Sequence, residues 1–281
     1  MTNKFHVGLI IDSTTVNKRI YDLVLLSKKS QYYKISHLIL QNTNKNTENF
    51  VIRIWNYISR RGLKKLIDNV FFRILCKFES FFVRRNPKFK SFFDSFNLSD
   101  FNLKIINVEP TVSANKLVYR YNEIDLEKIK SLNLNLLVRG GSGILKGKIL
   151  NICKNGIISF HHGDNDVIRG VPAGFWEVFN KEKKTGFIIQ RLKEELDAGD
   201  VIYKGYIPTS FCYTLNLAML YEKSNPFLHK IIESIVLKSS EINVYPKKLY
   251  SYPLYKTPSV HNQIQYLYSI MIFFLRKLFN K

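Results

Sequence analysis

Short, uninterrupted apolar runs recur along this chain, and they restrict its fold more than any other feature of the sequence. The early runs lack regularly spaced polar residues, so each is expected to form a strand that is buried on both faces. Strands are predicted over residues 5–12, 34–42, 103–108, 134–140, 156–160, 185–192 and 200–208. Helical segments separate them. This alternation predicts the α/β class, with a Rossmann-like open, mostly parallel twisted sheet and helices on both faces.

The helical segments carry signals of their own. Ser13 or Thr14 is expected to cap the first helix, and further helices are predicted over 50–59 and 123–132. Helical spacing places four apolar residues on one face of the first helix: Val16, Ile20, Leu23 and Val24. Beyond residue 210 the sequence is strongly helical. We therefore predict a main α/β domain over 1–210 and a small, mainly helical C-terminal extension over 211–281.

A basic, phenylalanine-rich insertion covers about residues 60–96. Its first part, 60–90, holds ten Lys or Arg against two acids, Asp68 and Glu79, and is expected to be helical until about Pro87. The favoured interpretation is a helix that packs its Phe face on the core and leaves a basic face in water. A membrane-surface or nucleic-acid patch is the alternative.

The C-terminal segment also has two interpretations. Its apolar residues recur at helical spacing: Ile264, Leu267, Tyr268, Met271, Leu275 and Leu278. Packing within the chain or between the chains of a homodimer is the more frequent role of such a helix. Contact with a membrane surface is the other, because the segment is shorter than the roughly 18–20 apolar residues that span a bilayer.

Charge and cysteine content bound the partners and the compartment. The formal net charge of +21 raises nucleic acid, anionic membrane surfaces and phosphorylated substrates as partners, although the scatter of the lysines fits a compositional bias. The three cysteines are far apart and form no Cys-x-x-Cys, which argues against a disulfide framework or a structural zinc site. With no signal-peptide pattern at the N-terminus, a cytoplasmic location is expected, and membrane association stays open.

The stretch ISFHHGDND, residues 158–166, carries the strongest chemical signal. The strand that precedes it should deliver His161 to the carboxyl edge of the sheet, where open α/β sheets bind ligands. Further along, KEELDAGDVI places Asp197 in a glycine-containing turn between two strands. A histidine and an aspartate at neighbouring strand ends form a proton-transfer pair in which the carboxylate orients the imidazole.

Other chemistries fit this stretch less well. His161, His162, Asp164 and Asp166 suggest a metal site, but adjacent residues of an extended segment point in opposite directions, so we predict none. Ser159 shares a face with His161, yet no G-x-S-x-G elbow is present. The glycines of residues 140–148 lack the spacing of a dinucleotide-binding or Walker loop.

Four linked motifs over residues 156–202 resemble the folate-dependent formyltransferases, a family that includes glycinamide ribonucleotide transformylase, methionyl-tRNA formyltransferase and the sugar N-formyltransferases. The motifs are Ser159-Phe160-His161, Arg169-Gly170, Thr185-Gly186 and Leu196-Asp197-Ala198-Gly199. The segment 136–156 also resembles the strand and helix that precede the family's active site. The match is good over about 70 residues and weaker in the N-terminal half.

The resemblance implies a reaction in which an amine attacks the formyl carbon of 10-formyltetrahydrofolate. His161 would donate to the formyl oxygen, and Asp197 would hold His161 and help to remove the amine proton through water. Ser159 stands where the family has an asparagine donor. Either Ser159 acts through a bridging water, or Asn165 or His162 replaces that donor, or the enzyme is slow or inactive.

The resemblance also implies the binding residues. Those expected at the folate are Ile144, Leu145, Leu192, Glu195, Leu196 and Asp197. Those expected in the loop that meets the amine are His162, Asp164, Asn165 and Arg169. Because this loop is acidic, a cationic amine is the expected acceptor.

The identity of the acceptor is less constrained. The 71 residues after position 210 are too few and too helical for the barrel domain of methionyl-tRNA formyltransferases. An amino sugar on a nucleotide or lipid carrier, used in surface polysaccharide synthesis, is therefore the leading hypothesis. A methionyl-tRNA formyltransferase-like enzyme and a catalytically impaired basic binding protein of the same fold are the alternatives, and nucleic acid is a less favoured partner.

Overall fold

The computed structural model describes residues 4–43, 49–195, 199–237, 244–246 and 254–279. The strands are β1 (Phe5–Ile11), β2 (Thr15–Asn17), β3 (Tyr33–Gln41), β4 (Ser95–Asn97), β5 (Lys104–Val108), β6 (Thr111–Val112), β7 (Val118–Arg120), β8 (Leu136–Arg139), β9 (Ile144–Lys146), β10 (Ile157–His161), β11 (Arg169–Gly170), β12 (Lys184–Arg191), β13 (Asp200–Pro208) and β14 (Leu254–Tyr255). The α-helices are α1 (Lys18–Lys29), α2 (Phe50–Arg61), α3 (Leu63–Val83), α4 (Glu123–Lys130), α5 (Phe175–Phe179), α6 (Tyr213–Leu237) and α7 (Val260–Phe279).

Seven strands form the central sheet, in the order β13-β12-β10-β8-β1-β3-β5. The five strands from β10 to β5 run parallel, and β12 and β13 are antiparallel additions at one edge. The chain begins this sheet in the middle, at β1, and proceeds outward in both directions. The switch point therefore lies between β1 and β8, where sheets of this kind bind ligands at the carboxyl edge. The predicted fold is confirmed.

Burial on both faces of the sheet explains the apolar runs. In β1, Val7, Leu9 and Ile11 belong to a core cluster that includes residues of α1 and α6, whereas Ile10 belongs to a second cluster with residues of α4. All four side chains are nearly inaccessible to solvent. Because alternate residues of the strand enter different cores, neither face tolerates a regular polar position.

The start of the first helix differs from the prediction. Asn17, and not Ser13 or Thr14, caps α1, and its side-chain oxygen accepts a hydrogen bond from the Ile20 amide at 3.2 Å. The residues just before it form β2, which pairs with β4. That pairing joins segments about 80 residues apart, and no local pattern announces it.

The insertion is helical as predicted, but its orientation is not the favoured one. α3 turns Asp68, Leu75, Glu79 and Val83 inward. Four phenylalanines are exposed instead: Phe71, Phe78, Phe81 and Phe82. The interpretation in which the Phe face packs on the core is therefore wrong for these residues, because α3 uses a different stripe of side chains to contact the molecule.

The C-terminal helices differ in their burial. α6 contributes Leu228 and Ile232, both fully buried, to the same core as the sheet, whereas α7 leaves many large apolar side chains in water. No helix in the described part of the chain is long and apolar enough to cross a membrane. The division of the chain at residue 210 stays a prediction.

Candidate functional site

β10 ends at His161, on the carboxyl edge of the sheet beside the switch point. Its imidazole is partly exposed and borders a cavity of about 240 Å³ that also opens on the ends of β8 and β10. We call this the small cavity. Its lining consists of Arg19, Arg139, Gly140, Gly141, Ser159, Phe160, His161, His162, Gly170, Val171 and Ala173.

The side chains of Ser159 and His162 both contact other groups of the protein. The Ser159 hydroxyl is 2% exposed and donates to the Phe160 carbonyl at 3.1 Å. His162 packs its ring against Tyr221, with centroids 4.2 Å apart, and its Nε2 lies 3.4 Å from the Ser224 hydroxyl. Burial, followed by the positive charges of Arg19 and His161, lowers the pKa of His162 well below its ordinary value. The His162 ring is therefore neutral at neutral pH.

Two arginines give the small cavity its charge. The Arg19 guanidinium lies 5.6 Å from the centre of the Phe160 ring and 5.1 Å from that of Tyr221, and Arg139 donates to the Gly143 carbonyl. The Nε atoms of both arginines are buried without a hydrogen-bond partner among the described residues. Burial lowers the pKa of each guanidinium, and the charge of Arg19 lowers that of Arg139 further, against the opposing effect of Asp12. Both remain cationic, so the cavity suits an anion.

The acidic loop that follows His162 is bonded to side chains of β13. The Asp164 carboxylate, 5% exposed, accepts hydrogen bonds from Lys204 at 3.4 Å and from the Tyr206 hydroxyl, and Asp166 also pairs with Lys204. Partial burial lowers the pKa of Lys204, but its bonds to Asp166 and Asp164 outweigh that effect and raise it. Lys204 is therefore shared by the two carboxylates, and the expectation that this loop attracts a cationic amine stays a prediction.

A glycine of the predicted Thr-Gly motif makes this arrangement fit. A Cβ at Gly186 would lie 2.7 Å from the Asp164 Cβ, so only glycine lets the loop approach β12 this closely. Thr185 next to it is fully buried and accepts a hydrogen bond from the Asn216 amide at 2.9 Å. The motif thus fixes the loop and α6 against β12.

The predicted Arg-Gly motif lies on β11. Arg169 pairs with Leu254 and Gly170 with Tyr255 of β14. A Cβ at Gly170 would lie 2.1 Å from the Tyr255 carbonyl oxygen, and the residue has a φ of +123°. Glycine is therefore needed for the pairing of β11 with β14, and Gly170 also lines the small cavity.

A second, larger pocket of about 880 Å³ is bordered by the loop residues Asp164, Asn165 and Asp166. We call it the large pocket. Its lining consists of Gly147, Lys148, Leu150, Asn151, Asp164, Asn165, Asp166, Ile188, Leu192, Lys193, Glu194, Glu195, Gly199, Asp200, Val201, Lys204, Val244, Tyr245 and Pro246. Its size is in the range of sites for drug-sized ligands.

Some of the predicted folate residues line the large pocket and others do not. Leu192 and Glu195 line the large pocket, and Leu196 and Asp197 lie outside the described residues, in the connection between β12 and β13. Ile144 and Leu145 lie on β9, which pairs with β7, and neither lines the pocket. The Leu145 side chain is 2% exposed and belongs to the hydrophobic core. The pocket wall begins two residues later, at Gly147.

Asn165 is the most conspicuous polar group of the large pocket. It is 4% exposed, and neither its Oδ1 nor its Nδ2 has a hydrogen-bond partner among the described residues. Burying an amide without partners is costly, so this side chain is suited to a ligand in the pocket. Among the residues that the structure describes, no group of three metal-ligating side chains is close enough to hold an ion.

Some of these residues could not be identified from the sequence. Lys204 and Tyr206 lie on a strand 40 residues after the loop that they contact. Arg19 lies in an ordinary amphipathic helix. Arg139 had a usable signal, because it is the last residue of β8 and must therefore lie on the same edge as His161.

Comparisons with known proteins identify relatives of this chain. No protein-family model matches it. It is 32% identical over 127 residues to a methionyl-tRNA formyltransferase of Bacillus velezensis, a match that covers 45% of this chain and 39% of that protein. The chain is related to the folate-dependent formyltransferases. The family predicted from the four motifs is thereby confirmed, although the match spans about two fifths of that relative's length.

Solved structures of formyltransferases share the fold. Glycinamide ribonucleotide transformylase 1 from Symbiobacterium toebii matches with a TM-score of 0.53 and 10% identity, covering 85% of this chain and 90% of that one. A sugar 3N-formyl transferase, solved in the presence of dTDP and 5-N-formyl-THF, matches with a TM-score of 0.51 and 13% identity, covering 94% and 79%. At these identities the likeness concerns the fold.

Proposed function

We propose that this chain transfers a formyl group from 10-formyltetrahydrofolate to a primary amine. One observation carries the proposal: the segment 159–166 borders both cavities, with His161 on the small cavity and Asn165 on the large pocket. Formyl transfer to an amine brings donor and acceptor together beside a group that can move a proton. The relationship to formyltransferases agrees with this arrangement.

The large pocket is proposed to hold the donor, which supplies the electrophilic formyl carbon. Leu192 provides an apolar wall, and Asn165 offers a buried amide N–H that bonds to no other group in the described part of the chain. As the amine nitrogen adds, negative charge develops on the formyl oxygen. Asn165 and His161 would stabilise that charge by donating hydrogen bonds to it.

We therefore propose Asn165, among the three candidates, as the replacement for the family asparagine. The Ser159 hydroxyl already donates to the Phe160 carbonyl. His162 is enclosed by Phe160 and Tyr221. Asp197, which lies outside the described residues, keeps its proposed role as the group that orients His161 and helps to remove the amine proton.

The small cavity is proposed to hold the acceptor, an amine that carries a phosphate group. Arg19 and Arg139 supply two cationic guanidinium groups that suit phosphate oxygens. An amino sugar on a nucleotide or lipid carrier has this chemistry, and the sugar 3N-formyl transferase of the same fold was solved with dTDP. Surface polysaccharide synthesis is the proposed setting.

A methionyl-tRNA acceptor is the second candidate. It is supported by the relative in Bacillus velezensis, which bears that name, and by the net charge of +21, which favours a polyanion. The third candidate, a catalytically impaired binding protein, would keep the fold and its ligands but turn nothing over.

The proposed reaction is tested by incubating the protein with 10-formyltetrahydrofolate and candidate amines and measuring the release of tetrahydrofolate. We expect His161→Ala to lose most of the turnover, by about 10²-fold or more, while His261→Ala, an exposed histidine on α7, retains it. Equal turnover in the two variants would refute the role of His161. Absence of turnover with sugar and tRNA acceptors alike would favour the binding protein.

The acceptor site is tested with Arg19→Gln and Arg139→Gln. Each is expected to raise KM for a phosphorylated amino sugar by about tenfold or more while changing KM less for the same sugar without phosphate. The matched control is Arg60→Gln, an exposed arginine on α2. If KM for both sugars rose equally, the arginines would not be recognising phosphate.

A further inference from the structure

The outward side of α3 is an unbroken apolar stripe. Large apolar side chains recur along it at intervals of three and four residues: Leu63, Ile67, Val70, Phe71, Ile74, Phe78, Phe81 and Phe82. Phe78 is 59% and Phe81 58% exposed. An amphipathic helix of a soluble domain usually turns such a stripe toward the core, and α3 turns it toward the solvent.

α7 carries a second stripe next to the first. Its exposed apolar residues include Ile264, Leu267, Tyr268, Met271, Phe274 and Leu275. A groove of about 670 Å³ between the two helices is lined by Phe78 and Phe82 of α3 and by Leu267, Met271 and Phe274 of α7. The two stripes therefore form one continuous surface, which we call the α3–α7 face.

Buried carboxylates hold the two helices in this orientation. Asp68 of α3 accepts a hydrogen bond from the Val260 amide at the start of α7, at 2.9 Å. Glu79 accepts bonds from the Tyr266 hydroxyl of α7 and from the Thr214 amide of α6, the latter at 2.8 Å. The outward stripes thus belong to a fixed arrangement, and their exposure does not result from loosely attached helices.

The exposed charges on α3 and α7, and on α2 which contacts α3, have one sign. The helices α2, α3 and α7 contain nine lysines and arginines: Arg53, Arg60, Arg61, Lys64, Lys65, Arg73, Lys77, Arg276 and Lys277. Their carboxylates are Asp68 and Glu79, both buried. Within these three helices, every charge that reaches the solvent is therefore positive.

We propose that the α3–α7 face binds the surface of a bilayer that contains anionic phospholipids. Its apolar stripes would enter the boundary between headgroups and acyl chains, and the flanking cations would contact lipid phosphates. The helices would lie in the plane of the surface, which agrees with the absence of a spanning helix in the described chain. This inference does not depend on the proposed formyl transfer.

Charge complementarity selects this occupant over two others. A two-fold dimer through this face would bring the basic patch of one copy up to the basic patch of the other, which is repulsive. A nucleic acid would match the cations, but it offers nothing comparable for aliphatic side chains such as Ile74, Leu267 and Met271. An anionic bilayer satisfies both parts of the face at once.

The test is co-sedimentation of the full chain with vesicles of phosphatidylcholine alone or with added phosphatidylglycerol. We expect strong binding only with the anionic lipid, weakened by high salt. The double substitution Phe78→Gln with Phe274→Gln should weaken binding at least about tenfold, because two apolar anchors are lost. Arg73→Gln with Lys77→Gln should weaken it on anionic vesicles.

Two matched controls distinguish binding through this face from nonspecific hydrophobic adsorption and from the effect of net charge. Ile124→Gln removes an apolar side chain that is 71% exposed on α4, and Lys183→Gln with Lys184→Gln removes two exposed cations elsewhere. Both should bind vesicles like the unaltered protein, and circular dichroism should show that all variants fold. Equal loss in variants and controls would overturn the proposal, as would no vesicle binding. A concentration-dependent dimer abolished by Phe78→Gln would assign the face to a second copy instead.

Discussion

Adjacent residues of the site loop have unlike environments. Both His161 and His162 line the small cavity, but the His162 ring also packs against the rings of Phe160 and Tyr221 and is neutral. Asp164 accepts hydrogen bonds from the Asp166 amide and the Tyr206 hydroxyl, whereas the two amide atoms of Asn165 have no partner among the described residues. The strand ends at His161, and Asn165 lies in a turn in which the Val167 amide donates to the Asp164 carbonyl. The turn places the Asp164 and Asn165 side chains in different surroundings.

Asn165→Ala tests the availability of that amide. The variant should lose about 10²–10³-fold in kcat, the usual effect of removing one oxyanion donor. Its thermal stability should fall little, since the Asn165 side chain makes no hydrogen bond to the residues that the structure describes. Asn151→Ala, an exposed residue of the same pocket wall, is the control. Formyl transfer and thermal unfolding are measured for both. Similar kcat values in the two variants would count against a role for Asn165.

Glu177 on α5 predicts a pH dependence of stability. It is 2% exposed, its Oε2 lacks a partner among the described residues, and burial raises its pKa to about 7. A carboxyl group with a raised pKa stabilises the fold while it is protonated, so its contribution is lost as pH rises from about 4.5 toward 7. Glu177→Gln should therefore be more stable than the unaltered protein at pH 8, by up to about 3 kcal/mol.

Urea denaturation at pH 5 and at pH 8 measures this difference. The gain should shrink or vanish at pH 5, where the native carboxyl is protonated. Glu182→Gln, an exposed neighbour, should shift stability much less at either pH. A gain of the same size at both pH values would show that the benefit of Glu177→Gln does not come from the charge.

At the scale of elements, the sequence predicts those strands and helices whose formation depends on a local pattern of residues. The seven strands of the central sheet and the long helices were predictable, because runs such as residues 5–11 must be buried on both faces. Short strands such as β2 and β11 were not, because each has only two or three residues and exists through pairing with a distant segment. Only part of the small cavity could be predicted in the same way. His161 was identified by its motif, whereas Arg19 lies on α1, and no motif connects it with this site.

The direction in which the apolar stripe of α3 faces could not be predicted from the sequence either. Periodicity shows that apolar residues share a face, but not whether that face turns to the core or to solvent. The deciding residues are the two carboxylates, Asp68 and Glu79, since a buried charge must find donors. Those donors belong to α6 and α7, more than 130 residues away.

Glu79→Ala tests how these helices are joined. Removing the carboxylate leaves the Tyr266 hydroxyl and the Thr214 amide buried without their acceptor, so we expect a loss of about 2–4 kcal/mol in the free energy of unfolding. Glu222→Ala, which breaks an exposed ion pair with Lys88, should cost about 1 kcal/mol or less. Chemical denaturation compares them, and equal losses would mean that Glu79 does not link the helices.

At the scale of the whole molecule, the sheet edge and the α3–α7 face are built from different parts of the chain. β8, β10 and α1 supply the small cavity, whereas the insertion and the last helix supply the apolar face. α6 connects the two, since Leu228 packs in the core of the sheet and Thr214 bonds Glu79 of α3. Anchoring at a membrane would therefore leave the sheet edge chemically separate but rigidly attached.

This connection predicts a single cooperative unfolding transition, although a boundary at residue 210 would suggest two. Leu228→Ala removes a fully buried side chain of α6 and should cost about 2–5 kcal/mol. If α6 and the sheet share one core, the urea midpoints followed by circular dichroism and by tryptophan fluorescence should coincide and shift together. Leu237→Ala, where the side chain is 50% exposed at the end of the same helix, should leave the midpoint nearly in place. A biphasic curve in which Leu228→Ala moved only one phase would instead show that the region after residue 210 unfolds on its own.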